Sequence, residues 1–133
     1  MDLSTAPDPV DFAGQIAEMH GQRESPNGMF RFHVPTVIGI MERTVTWEES
    51  WAKSFTHQLK DVIKYDNETN GPWPEDDAAY RQLIDVVIPR LPGALQADGR
   101  EIRPALVHGD LWEQNVGMDM ATGRTVVFDP GCT

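Results

Sequence analysis

The chain has 133 residues, 40% hydrophobic and 24% charged, with 21 acidic side chains against 11 basic ones. That length suits one domain at most, with a modest core. A formal net charge of −10 argues against partners held through a phosphate backbone, because such binding rests on clustered Lys and Arg. No apolar run approaches the ~20 residues of a membrane span, and no basic segment followed by an apolar one opens the chain as a secretion signal does. A reducing, cytoplasmic setting is therefore expected, with no nucleic-acid or membrane partner. The single Cys132 rules out an internal disulfide and a multi-cysteine zinc site, and it has no base beside it in sequence. Asn67-Glu68-Thr69 fits the glycosylation sequon and is read as chance.

Asp8-Pro9 predicts a helix start, with a capping aspartate followed by proline at the first helical position. Val10, Ala13, Ile16, Ala17 and His20 then recur at helical spacing as its core face, and Gly21 sits where a terminating glycine belongs. Ser25-Pro26-Asn27-Gly28 is a loop, and Phe30, Phe32 and Val34 alternate as a short extended segment closed by Pro35. Thr46 and Glu49 form a capping box before a second helix, whose stripe is Trp47, Trp51, Phe55, Leu59, Val62 and Ile63. Asn70-Gly71-Pro72 breaks the chain. A third helix opens at Pro74 with acidic residues in its first turn, turns Ala79, Leu83, Ile84, Val87 and Ile88 inward, and ends or kinks at Pro89. The aromatic side chains of these helices are read as core.

The last third changes character. Ala105-Leu106-Val107 reads as a short strand leading into His108-Gly109-Asp110. Val116–Met120 and Arg124–Phe128 flank Ala121-Thr122-Gly123 as a hairpin. Helices followed by a small sheet make the chain α+β. A turn centred on Thr122 pairs Met118 with Val126, Val116 with Phe128, and Asn115 with Asp129. Directly opposed side chains have Cβ atoms roughly 4.5–5.5 Å apart. An amide oxygen and a carboxylate so placed suit Mg²⁺, which takes few hard protein ligands and completes its shell with water or phosphate. Asp110, in the loop before them, completes the division of labour in kinases: a carboxylate on the acceptor hydroxyl, an Asn and an Asp on the metal. His108-Gly109-Asp110-Leu111-x-x-x-Asn115 matches the catalytic-loop template except that glycine replaces arginine, and Phe128-Asp129-Pro130-Gly131 stands in the place of the metal-binding Asp motif. His108 reads as a hydrogen-bonding residue of the loop rather than a proton carrier, and Trp112 either packs the loop or lines a sugar pocket. Both are candidates for substrate contact. His20, His33 and His57 show no zinc-type pairing.

At these residues the chain resembles the fructosamine (ketosamine) 3-kinase family, and its fungal-type protein-ribulosamine 3-kinase members most. The resemblance takes in His108 to Asn115, Ser25 to Val34, Trp47-Glu48-Glu49-Ser50-Trp51 and Asn70-Gly71-Pro72-Trp73-Pro74. The catalytic loop is shared with aminoglycoside and choline kinases. The Phe-x-Phe-His-Val and Trp-x-x-Ser-Trp stretches point to ketosamine kinases in particular. The resemblance implies a protein-kinase-like fold, ATP and Mg²⁺, and phosphorylation of a sugar hydroxyl in ketosamine adducts on proteins or small amines. Phosphate on the third carbon destabilises the adduct, so the implied role is deglycation. Asp110 is then the catalytic base, and Asn115 and Asp129 are the metal- and cofactor-binding residues.

A kinase also needs a glycine-rich loop over the phosphates and a strand lysine. None of the 11 glycines forms a G-x-G pair, and Lys53, Lys60 and Lys64 all fall in the second helix. Residues 1–133 are therefore expected to be one partial domain, a C-lobe segment truncated at both ends with the N-lobe absent, and inactive in isolation. The alternatives are another small-molecule kinase of aminoglycoside or choline type, and a non-catalytic binding or regulatory remnant.

Overall fold

The computed structural model describes residues 2, 6–22, 25–44 and 46–131. Cys132 lies outside them. The chain is α+β, and its described residues form three α-helical segments and two small antiparallel hairpins. It divides into two compact units, one formed by Met1–Glu24 with Ala105–Thr133, the other by Ser25–Pro104.

In the first unit, helix α1 spans Pro9–Gln22. Its start is as expected: Asp8 Oδ1 accepts from the Val10 amide at 2.8 Å and the Asp8 carbonyl from Phe12 at 2.9 Å. Its inward face is not. Val10 is 80% exposed, and Ala13, Ala17 and His20 are exposed too. The face turned inward is Asp11, Phe12, Gln15, Ile16 and Met19. The reason lies in the hairpin this unit contains, β3 (Val116–Met118) with β4 (Thr125–Val127). Thr125 presents its backbone to α1. Its N–H donates to Asp11 Oδ2 at 2.6 Å, its carbonyl accepts from Gln15 Nε2 at 2.7 Å, and Gln15 also donates to Asp11 at 3.0 Å. Two polar side chains one turn apart thus take the place of a neighbouring strand, because unpaired edge groups away from water are costly. The opposite edge, at Met118, exchanges two 2.9 Å backbone bonds with Asp2. Ala105-Leu106-Val107 forms no regular strand, contrary to the sequence reading; Ala105 alone makes a single-residue bridge.

These bonds hold the Asp11 carboxyl below the usual carboxylate range; the Thr125 backbone bond is the largest cause, and Arg124 and Gln15 add to it. A carboxylate whose folded pKa is lowered stabilises the fold fully above the ordinary range, and that contribution disappears as pH falls through the folded value. Asp11→Asn is therefore expected to lower the urea midpoint at pH 6, with the gap to wild type closing as pH falls below the ordinary aspartate value of 3.8. An unchanged gap across that range would remove Asp11 from the acid sensitivity.

In the second unit, Phe30 pairs with Glu48 through backbone bonds of 2.8 and 3.3 Å, so the extended segment is real at its first residue. The regular strands come later, β1 (Val37–Ile38) and β2 (Met41–Glu42), joined at Gly39-Ile40 with Gly39 at φ 58. Helix α2 runs from Trp51 to Asn70, not from Trp47 behind a Thr46 cap. Glu48 is held by Phe30, and the Gln96 amide closes over the start, donating to the Glu49 carbonyl at 3.0 Å and accepting from the Trp51 N–H at 2.6 Å. Ser50 is the cap. Trp51 lies 5.6 Å from Phe30 and 5.9 Å from Phe55, ring centre to ring centre, while Ser54 is the buried residue of the helix and Phe55 and Val62 stay exposed. All three lysines lie on α2, as expected.

The third helical segment begins as α3 (Asp77–Gln82), widens into a π turn over Leu83–Val87, and ends as α4 (Ile88–Arg90). Pro89 thus lies inside the helical path rather than beyond it. A proline ring collides with the carbonyl four residues back in a regular helix, and a π turn is one way the chain relieves such a clash. Leu83, Ile84 and Val87 are half-buried and Ile88 is 2% exposed, as the spacing indicates, while Ala79 is exposed.

Candidate active site

The candidate residues all belong to the first unit. His108 is 5% exposed and joins the loop to the hairpin. The Asp110 N–H donates to its Nδ1 at 3.3 Å, and Nε2 lies 2.9 Å from the Phe128 carbonyl. A carbonyl only accepts, so Nε2 carries the proton and Nδ1 is the acceptor. Both ring nitrogens are therefore committed to backbone, and the loop role expected of His108 is what the geometry gives it. Gly109 sits at φ 82, a conformation that strains any residue with a Cβ. Arginine at this position in the kinase template would be strained here.

Asn115 is 6% exposed, at the end of a short 3₁₀ turn, Glu113–Asn115. Its Nδ2 donates to the Asp110 carbonyl at 2.9 Å and to Asp110 Oδ2 at 3.0 Å, with a longer 3.5 Å contact to the Asp129 carbonyl. One buried amide therefore brings together the three residues singled out from sequence. The route differs from the expected one. The hairpin pairs Val116 with Val127, Gly117 with Val126 and Met118 with Thr125, one step from the predicted register. Asn115 thus stands opposite Phe128, whose N–H donates to the Asn115 carbonyl at 3.1 Å. The shift comes from the loop. Asp119 accepts from the Ala121 N–H at 2.9 Å and the Thr122 hydroxyl at 2.8 Å, its carbonyl accepts from Gly123 at 2.7 Å, and its N–H donates to Arg124 at 2.9 Å. That closes an even loop over residues 120–123 instead of one centred on Thr122, with Gly123 at φ 69. Asp129 reaches the site by a left-handed turn at φ 54 just past the strand, not by cross-strand pairing.

The donor set suits a hard divalent cation. Because Asn115 spends its NH₂ on Asp110 and Asp129, the group it offers elsewhere is Oδ1, and the exposed Asp129 adds a carboxylate. Among the described residues no three His, Cys, Asp or Glu side chains form a cage on their own. Two protein oxygens with the remainder from phosphate and water is the Mg²⁺ pattern. Trp112 is 45% exposed, with its ring available to a ligand.

Sequence reading missed one participant, Gly131. A Cβ there would stand 3.2 Å from Asp110 Cβ and 3.5 Å from the Gly109 carbonyl carbon, so the absence of a side chain lets the chain pass behind the aspartate. Gly131→Ala is expected to displace Asp110 and lower kcat about tenfold in an active enzyme carrying this segment. Gly123→Ala, where φ is 69 and nothing lies within 4 Å, should cost about 1 kcal/mol of stability and leave kcat unchanged. Equal effects of the two on turnover would contradict the role given to Gly131.

These features define an α+β chain with an oxygen-rich loop held against the end of a hairpin. The family model for fructosamine kinase matches residues 1–133, and the chain belongs to that family. It is 31% identical to a protein-ribulosamine 3-kinase, chloroplastic, of Oryza sativa subsp. japonica, over 89% of this chain and 32% of the rice protein. It is 29% identical to a probable ketoamine kinase of Staphylococcus aureus, over 86% of this chain and 38% of that protein, and 28% identical to the ketosamine-3-kinase of Mus musculus, over 76% and 30%. The chain spans about a third of the length of these curated relatives.

Proposed function

We propose that this chain is the catalytic-loop segment of a protein-kinase-like enzyme that transfers the γ-phosphoryl group of ATP to the 3-hydroxyl of ketosamine sugars on proteins or small amines, a deglycation step. The observation that carries the reading is the Asn115 amide, which ties the Asp110 carboxylate and the Asp129 turn together in a chain of the fructosamine kinase family. Asp110 Oδ2 is held by Asn115, so Oδ1 is the oxygen left to take the proton of the attacking hydroxyl. The hydroxyl oxygen bonds to the γ-phosphorus, the bond to the bridging oxygen breaks, and ADP leaves. Phosphoryl transfer draws on positioning and charge stabilisation more than on covalent chemistry, so the rigidity given by His108 and Asn115 matters as much as the base. Asn115 Oδ1 and Asp129 would hold Mg²⁺, which when bound offsets charge on the phosphates. Trp112 is assigned to the sugar.

The printed names of the relatives support a ketosamine acceptor. A panel of ribulosamine, fructosamine, aminoglycoside and choline acceptors tests it, in a chimaera in which this chain replaces the matching segment of the rice relative. Preferred phosphorylation of the ketosamines is expected; preference for another alcohol would overturn the reading. The 133-residue chain alone, with no G-x-G pair and its lysines all on α2, is expected to turn over no ATP. No helix among the described residues is long and apolar enough to cross a membrane. The cytoplasm suits a single cysteine and the staphylococcal relative, while the rice relative carries a chloroplastic name.

A further inference from the structure

In the second unit, α2 and the third helical segment line an open groove of about 610 Å³. Lys60, Ile63 and Lys64 face it from α2, and Tyr80, Arg81 and Ile84 from the other segment. Each set recurs at the three- and four-residue steps of one helix face, so the helical period brings both stripes to the same opening. The half-buried Ile63, Tyr80 and Ile84 give the groove apolar surface, and the exposed Lys60, Lys64 and Arg81 give it positive charge. Lys64 meets Glu68 at 3.9 Å with both side chains mostly in solvent, an ion pair of little strength. Asp77 also lines the groove, yet among the described residues no carboxylate lies within 4.0 Å of the Lys60 or Arg81 side-chain nitrogens. Two cations are thus open to carboxylates from outside.

The same chain carries a segment of matching chemistry. Trp73-Pro74-Glu75-Asp76, in the turn between the two helical segments, offers an aromatic ring followed by two carboxylates. Trp73 is 52% exposed, and Glu75 and Asp76 are exposed as well. The Asp76 N–H donates to the Trp73 carbonyl at 2.9 Å, so ring and acids are carried on a closed turn whose ordering cost is already met. Neither Trp73 nor the two acids line the groove of their own chain, so a second molecule has to supply them. An exposed tryptophan is the side chain that most often anchors an interface, and its face also attracts lysine and arginine. The net charge of −10 makes two copies repel as wholes. The attraction is therefore local, acting where carboxylates and cations come within about a Debye length, ~8 Å, of each other.

We propose that this groove docks the Trp73–Asp76 turn of a second copy of the chain, with the indole against Ile63, Tyr80 and Ile84 and the two carboxylates toward Lys60, Lys64 and Arg81. Each copy then gives its turn and receives the other's, an isologous contact that closes at a dimer. The proposal rests on neither the catalytic loop nor the kinase reading. Sedimentation velocity of the 133-residue chain, from micromolar to millimolar concentration, tests it, and far-UV circular dichroism verifies that every variant folds. A reversible monomer–dimer equilibrium is expected. Trp73→Ala should raise the dimer Kd about tenfold or more, the usual loss for an aromatic anchor. A chain with Lys64→Glu and Arg81→Glu, and a chain with Glu75→Lys and Asp76→Lys, should each be monomeric, because groove and turn then carry like charge. Mixed in equal amounts, the two should recover the dimer, since every groove again meets a turn of opposite charge. A wild-type chain that stays monomeric at every concentration overturns the proposal. So does a Kd unchanged by Trp73→Ala, and so does a failure of the two charge-reversed chains to associate on mixing.

Discussion

Asp110→Ala is expected to lower kcat for ketosamine phosphorylation by about 10²–10⁴-fold, the usual contribution of a positioned general base, while acceptor KM changes far less. The measurement is steady-state turnover in the chimaera with the rice relative. The split between kcat and KM follows from the assigned task. In the proposed mechanism Asp110 meets the hydroxyl proton as it moves, and Asp110 is exposed rather than built into a pocket wall. Its placement is over-determined: its N–H is bonded to His108, its carbonyl and carboxylate to Asn115, and Gly131 leaves no room for a side chain beside its Cβ. Turnover within a few-fold of the parent chimaera would remove Asp110 from the mechanism.

Asn115→Leu should destabilise the chain by about 2–3 kcal/mol in urea, because it deletes the donor to two oxygens of Asp110 from a buried position. Asn115→Asp separates structure from cation binding. A carboxylate cannot donate, and it would face Asp110 Oδ2 across the present 3.0 Å hydrogen bond, so the variant should be at least as unstable as Asn115→Leu. Added Mg²⁺ should recover part of that loss in Asn115→Asp and none in Asn115→Leu. Identical Mg²⁺ responses in the two variants would show that position 115 does not see the cation.

The residues of the candidate site were legible in the sequence because their chemistry is local. His108, Gly109, Asp110 and Asn115 sit within one loop, and a strand end supplies Asp129. The way they meet was not legible. A hairpin register depends on whether its loop is odd or even, and here four hydrogen bonds made by Asp119 and its backbone decide it. The inward face of α1 failed for a related reason. Apolar periodicity selected Val10, Ala13 and Ala17, but the partner is a strand edge that asks for acceptors and donors, so Asp11 and Gln15 turn inward instead. The start of α2 was misread because Thr46-x-x-Glu49 and Ser50 are both adequate caps, and only long-range bonds from Phe30 and Gln96 choose between them. Helix breaks at Gly71 and the burial of Ile88 depend on neighbouring residues and were read correctly.

The most direct measurement is phosphorus NMR of the sugar product made by the chimaera from ATP and a ribulosamine of lysine, with Asp110→Asn run beside it. The expected result is a new phosphomonoester on the third sugar carbon that accumulates with the parent chimaera and is lost with Asp110→Asn. Phosphate on a different atom, or equal product from both proteins, would contradict the assignment of this segment as the catalytic loop of a ketosamine 3-kinase.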